Sequence, residues 1–182
     1  MSILRRCPEK RWDYVGIDIG FSGAIAGIQL PQDVSIVPMP VIAARRGKRL
    51  RRQYVAWDIR RLLAEYCDRT TLVVIEQPPI PRVLVRSGKT VSQTCVAQLH
   101  HGFGLLCGIC IGLELRHVVV SPRTWQAEMF VGVLSGDPKA ASVLVAKRLF
   151  PGVSLRRTDR CRKDDHNFAD ALLLAEYGRR KG

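Results

Sequence analysis

Residues 14–40 read YVGIDIGFSGAIAGIQLPQDVSIVPMP, and no other stretch of the chain says more about its architecture. Three short runs rich in apolar and β-branched residues, YVGIDIG, AIAGIQL and VSIVPMP, are separated by Phe21-Ser22-Gly23 and by Pro31-Gln32-Asp33. Those separators are turn-forming residue types. Connections so short make consecutive strands neighbours of opposite direction, so an antiparallel meander is predicted.

Beyond this stretch the periodicity changes. Residues 43–53, AARRGKRLRRQ, carry no apolar period and hold six basic residues, which predicts an exposed loop or a strand extension. Residues 55–67, VAWDIRRLLAEYC, place apolar side chains at helical spacing. TLVVIEQPP is β-branched and stopped by Pro78-Pro79, as a buried strand would be. A Pro-, Arg- and Gly-bearing segment at 78–91 reads as a mobile loop, followed by a long helix over about 92–114. Gly104, Gly108 and Gly112 fall on one face of that helix, and a stripe of glycine predicts close approach of another element. HVVVS is the fifth strand. Pro122 opens a short helix, PRTWQAEMF; Asp137-Pro138 opens another, KAASVLVAKRLF; the last begins near Asp164–Asn167 and runs to about Tyr177. The order predicts one α/β domain over residues 1–182, with a mixed five-stranded sheet of three antiparallel strands plus two parallel ones, flanked by helices. Residues 1–12 are expected to form a flexible N-terminus.

At 182 residues and 47% hydrophobic the chain can bury one sizeable core. Its net charge of +13, from 29 Lys plus Arg against 16 Asp plus Glu, points to a polyanionic partner. The longest apolar stretch, Gly102 to Leu113, is shorter than a bilayer span, so no membrane role is expected. Cysteines at positions 7, 67, 95, 107, 110 and 161 are scattered, several in apolar segments, and MSILRRCPEKRWDY lacks a signal-peptide core. The expected setting is a reducing one: the cytoplasm of a bacterium or phage-infected cell, or an organellar matrix. The Cys107–Cys110 CxxC has no second ligand pair nearby and reads as core packing rather than a zinc or redox centre.

Against this basic background the acids are conspicuous. Asp18 closes the first strand, and Glu76 closes the buried run Leu72–Ile75. Asp18 alternates onto the same face as Gly16 and Gly20, glycines expected to leave open space around its carboxylate. An Asp in this position also caps turns, and both readings stay open. A charged Glu ending a buried strand needs an Arg partner or a cation. In KDDHNFADALLLAEYG, Asp164 or Asp165 suits a helix cap, whereas Asp170 lies one turn inside, beside the apolar Leu172–Leu174. Acids drawn together repel, and hard divalent cations such as Mg²⁺ or Mn²⁺ remove that conflict. Carboxylates for metal and a basic exterior for a polyanion together suggest a metal-dependent nuclease.

GIDIGFSGAIAG, VVIEQPP, a helix, a strand with SPRTWQ, and KDDHNFADALLLAEYG, in that order, resemble the RuvC-type Holliday-junction resolvases of the RNase H-like superfamily. The likeness covers roughly residues 13–179 and is greatest to the chloroplast and phage-type branch. It implies an RNase H-like fold and a homodimeric endonuclease that nicks four-way DNA junctions at two symmetric positions, with two Mg²⁺ ions per active site (Mn²⁺ being the substitute) and no small-molecule cofactor. Carried over, the catalytic and metal-binding residues are Asp18, Glu76, Asp165 and Asp170, with His166 competing with Asp165 for the fourth place. The expected mechanism has Asp18 bridging two ions about 4 Å apart, one activating water and one stabilising the leaving oxygen. HHGFGLLCG is similar to a glycine–aromatic segment near the junction centre in that branch; Phe103 is either a stacking residue or core.

Phosphate contacts are expected from Arg45, Arg46, Lys48, Arg49, Arg51, Arg52, Arg82, Arg86, Lys89 and Lys163, and from Arg156, Arg157, Arg160 and Arg162. Three other readings compete: a flap or RNA–DNA-hybrid nuclease on the same fold, a non-catalytic architectural DNA-binding protein, and an actin-like or sugar-kinase ATPase suggested by DIGFSG. That last fold needs two such domains, and the chain has signal for one.

Overall fold

The three apolar runs form β1 (Tyr14–Asp18), β2 (Ala24–Gln29) and β3 (Asp33–Pro38), paired antiparallel as a meander. The computed structural model describes residues 11–31, 33–46, 49–78, 93–133 and 135–182. The first ten residues of the expected N-terminal segment, and most of the expected 78–91 loop, lie outside these. Trp12, inside that segment, is buried and stacks on Tyr66 with ring centroids 4.8 Å apart.

β6 (Leu72–Glu76) lies parallel to β1, in the register Tyr14↔Leu72 to Ile17↔Ile75, and β7 (Arg116–Val120) lies parallel to β6. The five-stranded order is therefore β3-β2-β1-β6-β7, the mixed sheet expected from the sequence. The basic stretch is not a loop. β4 (Val41–Arg46) and β5 (Arg49–Tyr54) pair antiparallel as a separate two-stranded ladder, so its charges ride on a hairpin of defined register.

Helices cover both faces of the large sheet. α1 (Ala56–Tyr66) and α2 (Gln93–Gly112) supply Ile59, Leu63, Leu106 and Cys110 to the core built on Val15, Ile17, Ile25, Val73 and Ile75. On the other face, α3 (Pro122–Met129), α4 (Pro138–Leu149) and α5 (His166–Lys181) pack Trp125, Val145, Leu172 and Leu174 against Ala24, Ala26, Ile28 and Val74. Strand alternation makes this division: odd-numbered β1 residues face α1 and α2, and even-numbered ones face α5.

The approach of α5 to β1 is close. A Cβ on Gly16 would stand 2.0 Å from the Ala171 carbonyl oxygen and 2.3 Å from the Ala175 nitrogen, so only glycine lets the helix seat there. The glycine stripe of α2 behaves oppositely. Nothing lies within 4 Å of a Cβ built on Gly104, Gly108 or Gly112, and Ile111 beside them is 66% exposed. The expected close neighbour is therefore not supplied by the described residues. At 20 residues, α2 is by length and composition apolar enough to cross a membrane, longer than the apolar stretch read from the sequence, and 22% of its apolar window is buried; Leu106 and Cys110 face the sheet, and Gly102 faces Tyr54.

Candidate active site

Parallel pairing of β1 with β6 fixes the first two acids. Ile17 pairs with Ile75, so Asp18 and Glu76 follow side by side at the C-terminal strand ends. Both face α5: Asp18 shares the face of Gly16, and Glu76 shares that of Leu72 and Val74, which approach Gly178 of the helix. α5 brings the third acid, Asp170, one turn after its start. The space around Asp18 is thus not open as expected from its glycine neighbours. Gly16 admits the α5 backbone, and Gly20, at φ +130°, turns the chain after the strand.

The three acids form one electrostatic neighbourhood. Asp18, 7% exposed, is held well above the ordinary carboxylate range by burial first and then by the charges of Glu76, Asp170 and Asp165. Burial raises Glu76 too, partly offset by the Trp125 indole, which donates to its Oε1 at 2.9 Å. Asp170 is pushed from 3.8 to about 7, again chiefly by burial, with Glu76 adding and a Ser142 hydrogen bond opposing. Its Oδ1 is buried with no hydrogen-bond partner. Among the described residues no cation stands within ion-pair distance of Asp18, Glu76 or Asp170. Glu176 on the same helix shows what a buried structural acid looks like: it is 1% exposed, paired with Arg179 and Arg180, and lowered.

Asp165 differs. It is the N-cap of α5, its Oδ1 accepting from the Asn167 backbone nitrogen at 2.9 Å and side-chain nitrogen at 2.8 Å, while Oδ2 accepts from Arg157 Nε at 2.7 Å. Burial raises it, but these hydrogen bonds outweigh that and hold it below the ordinary value. His166 is lowered by burial and by Lys139. Asp164 pairs with Lys147, which accounts for it structurally.

Among the described residues no three His, Cys, Asp or Glu side chains form a closed metal-holding group. The donors present nonetheless suit a hard divalent ion. Three carboxylates raised by burial and a stranded Asp170 oxygen are what a cation with oxygen ligands would satisfy. The CxxC does not suit one: Cys110 and Cys107 pack on the core, and burial raises both thiols.

A cleft of about 550 Å³ runs along Phe21, Arg52, Tyr54, Gln98 and His101, and a smaller one continues to Gly20 and Asn167 beside the acids. Arg52 lies over the Phe21 ring at 5.4 Å and donates to Ser22 Oγ at 3.2 Å. Tyr54 lines both clefts, its pKa pushed up to about 12 by burial and then by Asp18. Of the residues expected to contact phosphate, Arg45, Arg51, Arg52 and Lys163 are exposed, as are Arg156, Arg160 and Arg162, while Arg157 turns inward to Asp165. Arg46 and Arg49 sit on β4 and β5, and Lys48, Arg82, Arg86 and Lys89 lie outside the described residues. Phe103 packs against the α1–α2 core.

Sequence reasoning did not assign Trp125, Ser142, Lys139 or the inward turn of Arg157. Trp125 lies 49 positions from Glu76, and only the buried indole inside SPRTWQ hinted at a polar partner.

The same fold occurs in known structures. Thermus thermophilus RuvC in complex with a Holliday junction substrate aligns over 92% of this chain and 95% of its own at TM-score 0.53, with 10% identity. The yeast mitochondrial Holliday junction resolvase Ydc2 aligns over 92% and 78%, also at 0.53, with 14% identity. No protein-family description matches the chain, and no curated protein is similar to it in sequence. The architecture is thus the RuvC-type, RNase H-like fold that the sequence motifs predicted.

Proposed function

We propose that this chain is a metal-dependent, structure-selective endonuclease that resolves four-way DNA junctions by paired symmetric nicks. One observation carries the reading: acids from three distant segments, Asp18, Glu76 and Asp170, converge under α5 with no cation paired to them among the described residues and one oxygen stranded. A structural role would have supplied partners, as it does for Glu176. The branched-DNA substrate comes from the resolvase likeness and from the +13 charge.

Asp18, Glu76 and Asp170 would hold two Mg²⁺ ions, with Asp165 or His166 completing the set. Bound there, Mg²⁺ supplies Lewis-acid activation of water and stabilisation of the leaving oxygen. The chain's own side chains prepare the pocket. Trp125 fixes one oxygen of Glu76 and leaves Oε2 free to ligate. Arg51 and Arg52, at the mouth of the cleft, bind backbone phosphates and bring the strand to the acids. Two symmetric cuts call for two copies of the site, so the working form is a homodimer, and the open glycine face of α2 is the surface best suited to a second copy. The compartment is the reducing one expected from the cysteines.

The test is cleavage of labelled four-way junction, flap, duplex and RNA–DNA hybrid with Mg²⁺ or EDTA. Mg²⁺-dependent, paired nicking confined to the junction supports the proposal. Preference for flap or hybrid moves the activity to another nuclease class, and no nicking of any substrate leaves a DNA-binding protein.

A further inference from the structure

Arg157 stands apart from the basic residues around it. Arg156, Arg160 and Arg162 are exposed, whereas the Arg157 side chain is only 32% exposed and makes three directed contacts. Nε donates to Asp165 Oδ2 at 2.7 Å, an Nη donates to the Ser22 carbonyl, and the guanidinium lies 5.2 Å from the centre of the Phe168 ring. The last two contacts anchor it without help from Asp165. Asp165 is likewise anchored without Arg157, because Oδ1 accepts both Asn167 donors as the helix cap. Oδ2 is thus the oxygen not spent on the cap, and it is the one the guanidinium holds. Ser22 belongs to the turn that follows Asp18, so the same positive charge also reaches Asp18.

We propose that Arg157 is a built-in counter-cation that competes with divalent ions for Asp165 Oδ2 and so sets the metal affinity of the carboxylate pocket. The inference rests on the metal-dependent reading above, taken with Asp165 rather than His166 as the fourth ligand. A guanidinium and a divalent ion sharing one oxygen lie within a few ångströms of each other and repel, so one must yield. Five donors let Arg157 release Asp165 while keeping the Ser22 carbonyl and the Phe168 face, so yielding takes a small rotation rather than unfolding. The Nε–H set free then points from beside the acids toward any anionic oxygen brought there, and a phosphodiester is the matching group. Arg157 acts on metal through Asp165 and is a positioning residue. A mere buttress would predict that its removal weakens metal binding; a competitor predicts the reverse.

The test measures Mn²⁺ affinity of the full chain by electron paramagnetic resonance for the wild type, Arg157→Met, Arg157→Lys and Asp18→Asn. Arg157→Met, which keeps length and the Phe168 contact but loses the charge, should tighten Mn²⁺ binding roughly tenfold. Arg157→Lys should stay near the wild type. Unchanged or weaker binding in Arg157→Met overturns the inference alone. No Asp18-dependent Mn²⁺ binding in any of these proteins overturns the metal reading and the inference with it. Should Arg157→Met fold poorly, the wild-type Arg157 Nε–Hε resonance decides: Mg²⁺ should shift it, and a signal unmoved at saturating Mg²⁺ overturns the proposal.

Discussion

Asp170→Asn should stabilise this protein, and the size of the gain can be worked from the site. In the fold the Asp170 carboxyl titrates near 7, against 3.8 ordinarily, because burial and Glu76 disfavour its charge. Below pH 3.8 the acid is neutral in folded and unfolded chains alike, and it costs nothing. Between 3.8 and about 7 the folded form holds a proton that the unfolded chain has lost, so stability falls as pH rises. Above 7 the full penalty is present. The gap between 3.8 and about 7, at about 1.36 kcal/mol per pH unit, gives roughly 4 kcal/mol as an upper bound. Asparagine keeps the shape without the charge, so at pH 8 in EDTA the variant should gain about 2–4 kcal/mol, and near pH 3.5 almost nothing. Urea denaturation at the two pH values measures this directly. Mg²⁺ adds a second arm: it should raise the wild-type midpoint at pH 8, because ligands of the folded state stabilise it, and should do so far less for the variant. A variant less stable than the wild type at pH 8 would refute the view that Asp170 is strained rather than satisfied.

Other perturbations probe the remaining parts. Asp18→Asn should abolish junction nicking while gel-shift affinity for the junction stays within about threefold; retained cleavage removes Asp18 from the chemistry. Gly16→Ala sets a methyl 2.0 Å from the Ala171 carbonyl and should cost about 3 kcal/mol or more by thermal unfolding; a neutral change would mean that α5 does not sit as described. Trp125→Phe removes the donor that lowers Glu76, so the pH–rate profile should move to higher pH; an unmoved profile would make that hydrogen bond incidental. Junction affinity should drop steeply with salt, log K losing about 0.9 per phosphate contact for each tenfold rise, and a flat titration would count against the basic hairpin as the DNA contact.

The meander and the strand-end acids were legible because short-range rules govern them. Apolar runs broken by Phe21-Ser22-Gly23 and Pro31-Gln32-Asp33 allow little else, and β6 advertised itself by TLVVIE. What escaped was set by distance. Arg45 to Arg52 hid a hairpin, since charged side chains on both faces of an exposed ladder leave no alternation to read. Gly16 reads from the sequence as open space, although its role depends on a helix some 155 positions later. Arg157 could not be told from its basic neighbours, because the carboxylate and carbonyl that single it out come from α5 and from the turn after β1. That Asp165 caps α5 while its second oxygen meets Arg157 is geometry that spacing alone does not contain.

Asp18 and Asp170 stand 152 positions apart, one on the first strand and the other on the last helix. Their electrostatic coupling spans most of the sequence, and pairings so non-local carry a large loop-closure cost in folding. On the proposed reading, a polypeptide that stops short of residue 165 carries the basic β4–β5 arm but lacks Asp165 and Asp170. On that reading the acidic pocket is completed only by the segment that carries Asp165 and Asp170.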